Sequence, residues 1–406
     1  MTMTRNSNGL VAVVMIICVS FLTQTAASAD SVKVGFLGGF TGPIETLTPG
    51  IEGGAKLAAS TIAEQGGLLG GTMIEVVSGD TACVDANQAT DSADRLVNSD
   101  GVVAIVGALC SGSTIAAANN VAIPAGVVMV SPASTSPAIS AMEDNDMVFR
   151  TVPSDSFQGE SLAKLLLAKG INTVAVTYIN NDYGKGFADA LSNAYTGMGG
   201  AIAASEAHED GKADYRPEIG ALAATGAEHL VVLGYADGAG QTIIRQALES
   251  GDFSNFIGGD GMASDSLIQG VGADALEGMI ITRAGSPAGE GTDRFAALRE
   301  AAGMTEVVYD SQAFDAMFML ALAMQQKGSA SADGMSAALH AISSPPGMVI
   351  HPGDWAQAVE ALAAGKEINY EGAGGSVDFN DDGDVSGLIV EISVQDGQLV
   401  EVGEIM

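Results

Sequence analysis

The sequence predicts an α/β fold in which two doubly wound lobes each carry a parallel sheet. Short β-branched runs alternate with helical stretches, and strand–helix repeats of this kind build parallel sheets covered by helices. The pattern starts again after Phe149-Arg150-Thr151-Val152-Pro153, so the chain holds two similar halves. At 406 residues it is long enough for each half to bury its own core.

The first 29 residues stand apart from that fold. Arg5 is a basic start, residues 10–22 are apolar but short for a membrane span, and Ala27-Ser28-Ala29 offers a small-x-small cleavage site before Asp30. A secretory signal peptide cleaved after Ala29 is expected. Cys18 follows Ile16-Ile17 rather than small residues, so no lipid anchor is expected. Sixteen Lys and Arg against 49 Asp and Glu give a formal net charge of −33, which makes nucleic acid and anionic membranes poor partners. With 47% hydrophobic residues the chain is not disordered, and the acidity reads as a solubilising surface. Cys83 and Cys110 remain after cleavage. An even pair in an oxidising compartment suggests a disulfide, with two buried free thiols as the alternative.

In chain order, Val32, Val34 and Phe36 alternate through a first strand, followed by a turn over Gly38-Gly39-Phe40-Thr41-Gly42-Pro43. That turn is neither GxGxxG nor GxxxxGK[ST], so no nucleotide cofactor is expected. Residues 51–63 read as a helix, 73–77 as a strand ending in Gly79-Asp80-Thr81-Ala82-Cys83, and 87–97 as a helix. Residues 102–106 form a short β-branched strand. Leu109-Cys110-Ser111-Gly112-Ser113-Thr114 then leads into a helix over 115–123, and a strand over 127–130 runs into Ser131-Pro132-Ala133-Ser134-Thr135-Ser136-Pro137. The second half repeats the scheme: helix 156–168, strand 173–179, a helix opened by Tyr183-Gly184-Lys185-Gly186, helix 214–224 and strand 229–233. Tyr235-Ala236-Asp237 opens the next helix, and residues 256–260 are a short strand ending in a carboxylate. Residues 279–283 read as a strand returning to the first half. Residues 310–326 and 355–364 read as helices, and 376–406 as β-rich.

Enzyme machinery is scarce. His208, His229, His340 and His351 show no zinc spacing, and no serine lies in a GxSxG elbow. His208, among Glu206, Glu209 and Asp210, reads as part of a solvated loop. Asp378-Phe379-Asn380-Asp381-Asp382-Gly383-Asp384 imitates the start of a calcium loop, but Ile389 stands where a bidentate Glu is needed. A β-hairpin turn is expected there instead, and no metal or cofactor. Binding is better supplied. Two neighbouring strands end in hydroxyl-rich turns at helix N-termini, where free N–H groups and the helix dipole attract an anion. Ser111, Ser113 and Thr135 can hold a carboxylate, or such residues can simply cap helices. Asp260 can hold an ammonium or cap a helix. Tyr183 and Tyr235 can close over a ligand or pack their lobe. Opposite charges from two halves suit a zwitterion held between hinged lobes.

In their order and spacing these pieces resemble the periplasmic leucine/isoleucine/valine-binding protein family, solute receptors of ABC importers. The resemblance covers nearly all of residues 31–406. It runs through Gly39-Phe40-Thr41-Gly42-Pro43, Gly79-Asp80-Thr81-Ala82-Cys83, Leu109-Cys110-Ser111, the 131–137 turn, Phe149-Arg150 leading to Asp155-Ser156-Phe157-Gln158-Gly159, Tyr183-Gly184, and Gly259-Asp260-Gly261. It implies a type I periplasmic binding protein: two Rossmann-like, doubly wound α/β lobes joined by a three-crossover hinge near residues 150, 283 and 373. The N-terminal lobe is then 30–150 with 283–372, and the C-terminal lobe 151–282 with 373–406. The resemblance further implies that the Ser111 and Thr135 hydroxyls, with the backbone of Ser111, Ala133 and Thr135, bind an α-carboxylate. Asp260 takes the α-ammonium, Tyr183 and Tyr235 cover the ligand, and Leu109, Tyr309 and a Cys83–Cys110 bridge line the side-chain pocket. Leu47 stands where the branched-chain receptors carry an aromatic, and Asp260 is one methylene shorter than Glu. The implied function is a monomeric periplasmic protein, not an enzyme, that captures a branched-chain or other apolar amino acid and delivers it to an ABC permease. A ligand-sensing receptor of the same fold, or a binder of amides or small aromatic acids, is the alternative.

Overall fold

The computed structural model describes residues 1–3 and 30–405, so the expected signal peptide lies, beyond its first three residues, outside the described part. The strands are β1 (Ser31–Gly38), β2 (Met73–Asp80), β3 (Ala104–Gly107), β4 (Val128–Ser131), β5 (Val148–Arg150), β6 (Thr173–Ile179) and β7 (Ala201–His208). They continue as β8 (His229–Leu233), β9 (Asn255–Gly258), β10 (Ile280–Gly285), β11 (Met348–Ile350), β12 (Ile368–Tyr370), β13 (Leu388–Gln395) and β14 (Gln398–Glu404). A first sheet has the order β2-β1-β3-β4-β5 and is parallel throughout. A second has the order β14-β13-β10-β9-β8-β6-β7, with β13 antiparallel to both its neighbours. β3 and β4 are buried along their whole length, as inner strands of a sheet covered on both faces must be.

The strand expected to return to the first half does not do so. β10 instead lies parallel to β9, with Ile280 opposite Ile257, and antiparallel to β13. The short helices Asp265–Val271 and Ala273–Leu276 make an ordinary crossover between β9 and β10, and Ile281 is buried in the same core as Phe256 and Leu276.

The first lobe is built on the helix Asp310–Lys327, buried on every side from Asp310 to Met324. Against it lies the helix Thr48–Glu64. Gly54 permits that approach, because a Cβ there would sit 2.0 Å from the Asp310 carbonyl oxygen. Asp315, inside the buried helix, accepts from the Tyr370 hydroxyl at 2.7 Å and from the N–H groups of Ala373 and Gly374 at 2.7 and 2.8 Å. Burial pushes its carboxyl up to about 7. The chain beyond residue 373 stays against β5: Phe379 meets Phe149 edge-on at 4.9 Å, and the Gly383 carbonyl accepts from the Arg150 N–H at 3.0 Å. It joins the second sheet only at Leu388. The hairpin expected over 378–384 is accordingly a turn without flanking paired strands. The Asn380 side chain closes it by accepting from the N–H groups of Asp382 and Asp384. Among the described residues, no helix is long and apolar enough to cross a membrane, and no cluster of His, Cys, Asp and Glu is placed to hold a metal.

Candidate functional site

The two hydroxyl-rich turns lie side by side at the carboxyl ends of β3 and β4. Most of their hydroxyls are already engaged. The Ala108 carbonyl accepts from Thr114 at 3.1 Å, Ser131 at 2.6 Å and Ser134 at 3.0 Å, which clamps one turn onto the other. Ser113 donates to the Cys83 carbonyl at 3.0 Å, so this hydroxyl, grouped by the sequence with Ser111 and Thr135, is taken up by the fold. Ser136 donates to the Asp182 carbonyl across the cleft at 2.8 Å. Two hydroxyls remain. Ser111 Oγ accepts from the Ser136 N–H at 3.2 Å and keeps its own proton free, and Thr135 Oγ1 is buried without a partner. Cys83 and Cys110 form a disulfide, with Cα atoms 5.3 Å apart, that fixes the end of β2 to the end of β3.

Across the cleft, Asp260 follows β9 and is buried. Tyr183 donates to its Oδ1 at 2.9 Å, and Tyr309, from the first lobe, donates to its Oδ2 at 2.8 Å. Tyr183 stacks on Tyr235 at 5.2 Å. Tyr309 has a left-handed backbone (φ +70°), rare for an aromatic residue, where the helix Asp310–Lys327 begins. Burial raises the Asp260 carboxyl above its ordinary value, and the hydrogen bonds from Tyr309 and Tyr183 pull against that shift. A second carboxyl stands behind it. Asp155 is fully buried beside Thr135, and the Thr135 hydroxyl and the charge of Arg150 act to hold its carboxyl down. Burial, reinforced by the charge of Asp260, pushes it well above the carboxylate range. Two buried acids close together disfavour their own ionisation, and a cation brought between the lobes would relieve that.

Leu47, Leu109, Ser111, Ala133, Tyr183, Tyr235, Asp260 and Tyr309 all line one cavity of about 30 Å³ between the lobes. Of the residues read from the sequence, Ser113, Cys83 and Thr135 are absent from that wall, and Thr135 lies buried next to Asp155. Ile44, Ile51 and Cys110 complete the apolar side. A larger polar hollow of about 550 Å³ lies beyond Leu47, the one residue shared by the two walls. At the mouth, the Thr46 hydroxyl and N–H donate to Asp237 Oδ2 at 2.6 and 3.2 Å, joining the lobes.

Sequence reasoning passed over Asp155 because an acid opening a helix usually caps it. Here Ser154 is the cap, accepting from the Ser156 N–H, which leaves the Asp155 carboxyl free. His208 corrects the reading of a solvated loop. It ends β7, is 2% exposed, and its Nδ1 meets Thr177 Oγ1 at 2.8 Å. Burial lowers it to about 4, so it is neutral at physiological pH.

The sequence profile described as receptor family ligand binding region matches residues 51–394. The Leu/Ile/Val-binding protein of Escherichia coli K12 is 29% identical over 267 residues, covering 66% of this chain and 71% of that protein. The leucine-, isoleucine-, valine-, threonine- and alanine-binding protein of Pseudomonas aeruginosa is 32% identical over 256 residues, covering 63% and 67%. In fold, the chain is similar to a leucine binding protein from Thermotoga maritima, with a TM-score of 0.78 at 23% identity, covering 92% of this chain and 98% of that one. It is also similar to a branched-chain amino acid transporter substrate binding protein from Streptococcus pneumoniae solved with isoleucine, with a TM-score of 0.75 at 24% identity, covering 92% and 100%.

Proposed function

Since this chain belongs to the receptor family ligand binding region, we propose that it captures the zwitterion of a branched-chain or other apolar amino acid between its lobes and delivers it to the permease of an ABC importer. What carries the reading is one apolar cavity with opposite chemistry at its two ends. At one end is Ser111, whose hydroxyl proton is free, with the N–H groups of the two turns and Thr135 buried behind the wall, which suit a carboxylate. At the other is Asp260, which suits an ammonium, with the Asp155 carboxyl buried behind it. Leu47, Leu109, Tyr309, Ile44, Ile51 and Cys110 of the disulfide receive the side chain, Tyr183 and Tyr235 cover it, and the Ala133 backbone belongs to the carboxylate end.

The lobes divide near 30–150 with 283–372 and 151–282 with 373–406, the middle crossover falling after Gly285, where β10 leaves the second sheet, and the last drawn out to the entrance of β13. A cavity of about 30 Å³ has room for a water or two, so an amino acid gets in only when the lobes part about this hinge. The protein makes and breaks no bond, uses no cofactor, and works as an exported periplasmic monomer. The names of the relatives favour leucine, isoleucine and valine as ligands.

A thermal-shift screen on ligand-stripped mature protein tests this, with the proteinogenic amino acids, small amides and aromatic carboxylates as probes. A tight ligand at a thousandfold excess over its Kd stabilises by about 4 kcal/mol. Leucine, isoleucine or valine is expected to raise the melting temperature. A shift produced only by a ligand without an ammonium would sink the role given to Asp260.

A further inference from the structure

The turn that offers Thr135 is held from behind. Arg150, the last residue of β5, is 0% exposed. Its Nε and Nη2 donate to the two oxygens of Asp384 at 2.5 and 2.8 Å. Its Nη1 donates to the backbone carbonyls of Ser134 at 3.3 Å and Ser136 at 3.0 Å, and its Nη2 also donates to Ser140 Oγ at 2.6 Å. Ser140 Oγ in turn donates to Asp384 Oδ2 at 2.7 Å. One guanidinium thus joins the 131–137 turn to the acidic 378–384 turn.

The consequence follows from peptide planarity. The Ser134 carbonyl and the Thr135 N–H belong to one trans peptide and point in opposite directions. Drawing the carbonyl toward Arg150 turns the N–H away from it, and among the described residues that N–H has no hydrogen-bond partner. A buried ion pair is weak evidence of stabilisation for its own sake. A planar fork that fixes two carbonyls of a ligand-facing turn is a geometric device.

We propose that Arg150 and Asp384 are positioning residues for the amino-acid site. Their ion pair sets the plane of the 134–135 peptide so that the donors of this turn converge on the ligand carboxylate. Because Asp384 lies in the segment that runs on to β13, the same pair ties that geometry to the crossover between the lobes. Motion that pulls this segment slackens the carboxylate grip. The inference rests on the amino-acid reading given above.

The test is calorimetric titration of the ligand-stripped mature protein with leucine and with leucinamide, which keeps the ammonium and side chain but lacks the carboxylate. Asp384→Asn is expected to weaken leucine by roughly tenfold or more and leucinamide by less than about twofold, so that discrimination between them collapses. Ser140→Ala, a milder change, is expected to move leucine in the same direction by a smaller factor. Equal weakening of both ligands, as a general loss of packing would give, overturns the proposal, and so does no change in either. If the unsubstituted protein ignores leucine, isoleucine and valine alike, the amino-acid reading itself fails, and this is seen before any substitution is made.

Discussion

Asp260→Asn is expected to remove tight amino-acid binding while leaving the fold intact. The substitution keeps the size of the side chain and deletes the charge that two tyrosines orient. Removing one partner of a buried, hydrogen-bonded charge pair costs about 2–5 kcal/mol, so the Kd should rise by about thirtyfold to several thousandfold. Stability should move the other way. Burial holds the folded-state pKa of Asp260 above its unfolded value. The stability linked to that shift is complete below the unfolded pKa and is lost as pH rises through the folded one. The ligand-free wild type should therefore lose stability with rising pH more steeply than the variant. Amino-acid affinity should fall on acidification, because a protonated Asp260 cannot pair with an ammonium. Titration calorimetry and melting curves across pH 4 to 9 read both effects. A variant that binds leucine as tightly as wild type would remove Asp260 from the site.

Replacing Cys83 and Cys110 together by serine is expected to cost roughly 3–4 kcal/mol of stability, from the chain entropy regained by a loop with a sequence separation of 27. Denaturant unfolding measures this directly, and wild type under reductant should match the double variant. Because Cys110 immediately precedes Ser111 and lines the cavity, ligand affinity should also weaken, although both substituted residues keep a small polar side chain. A loss below about 1 kcal/mol would mean that the turns are held mainly by the hydroxyl clamp on Ala108.

Much of the fold is legible in residue types. β6 and β8 coincide with the strands read from the sequence, because a continuous β-branched run in a doubly covered sheet has one reading. β7 carries little strand signal: Ala201–His208 is an edge strand with four alanines and a single β-branched residue, Ile202. In the site, spacing located the two turns but not which hydroxyls stay free. That depends on the Ala108 carbonyl and the Cys83 carbonyl, which a linear reading does not bring near them. Arg150 was visible as a residue, but its partner lies 234 positions away, with no local pattern linking the two.

The polarity of the cleft has a metabolic consequence. Its anion end consists of hydroxyls and N–H groups, and Arg150, the nearby cation that braces this end, is engaged by Asp384. Its cation end is Asp260, with the Asp155 carboxyl buried behind it. Selection is therefore lopsided. Loss of the carboxylate removes neutral contacts, whereas loss of the amine leaves a buried acid facing a dipole that repels it. A branched-chain 2-oxo acid, the carbon skeleton left after transamination, should be turned away far more firmly than an amine of the same shape. The receptor would then sort nitrogen-bearing nutrients from their deaminated counterparts before either reaches the membrane.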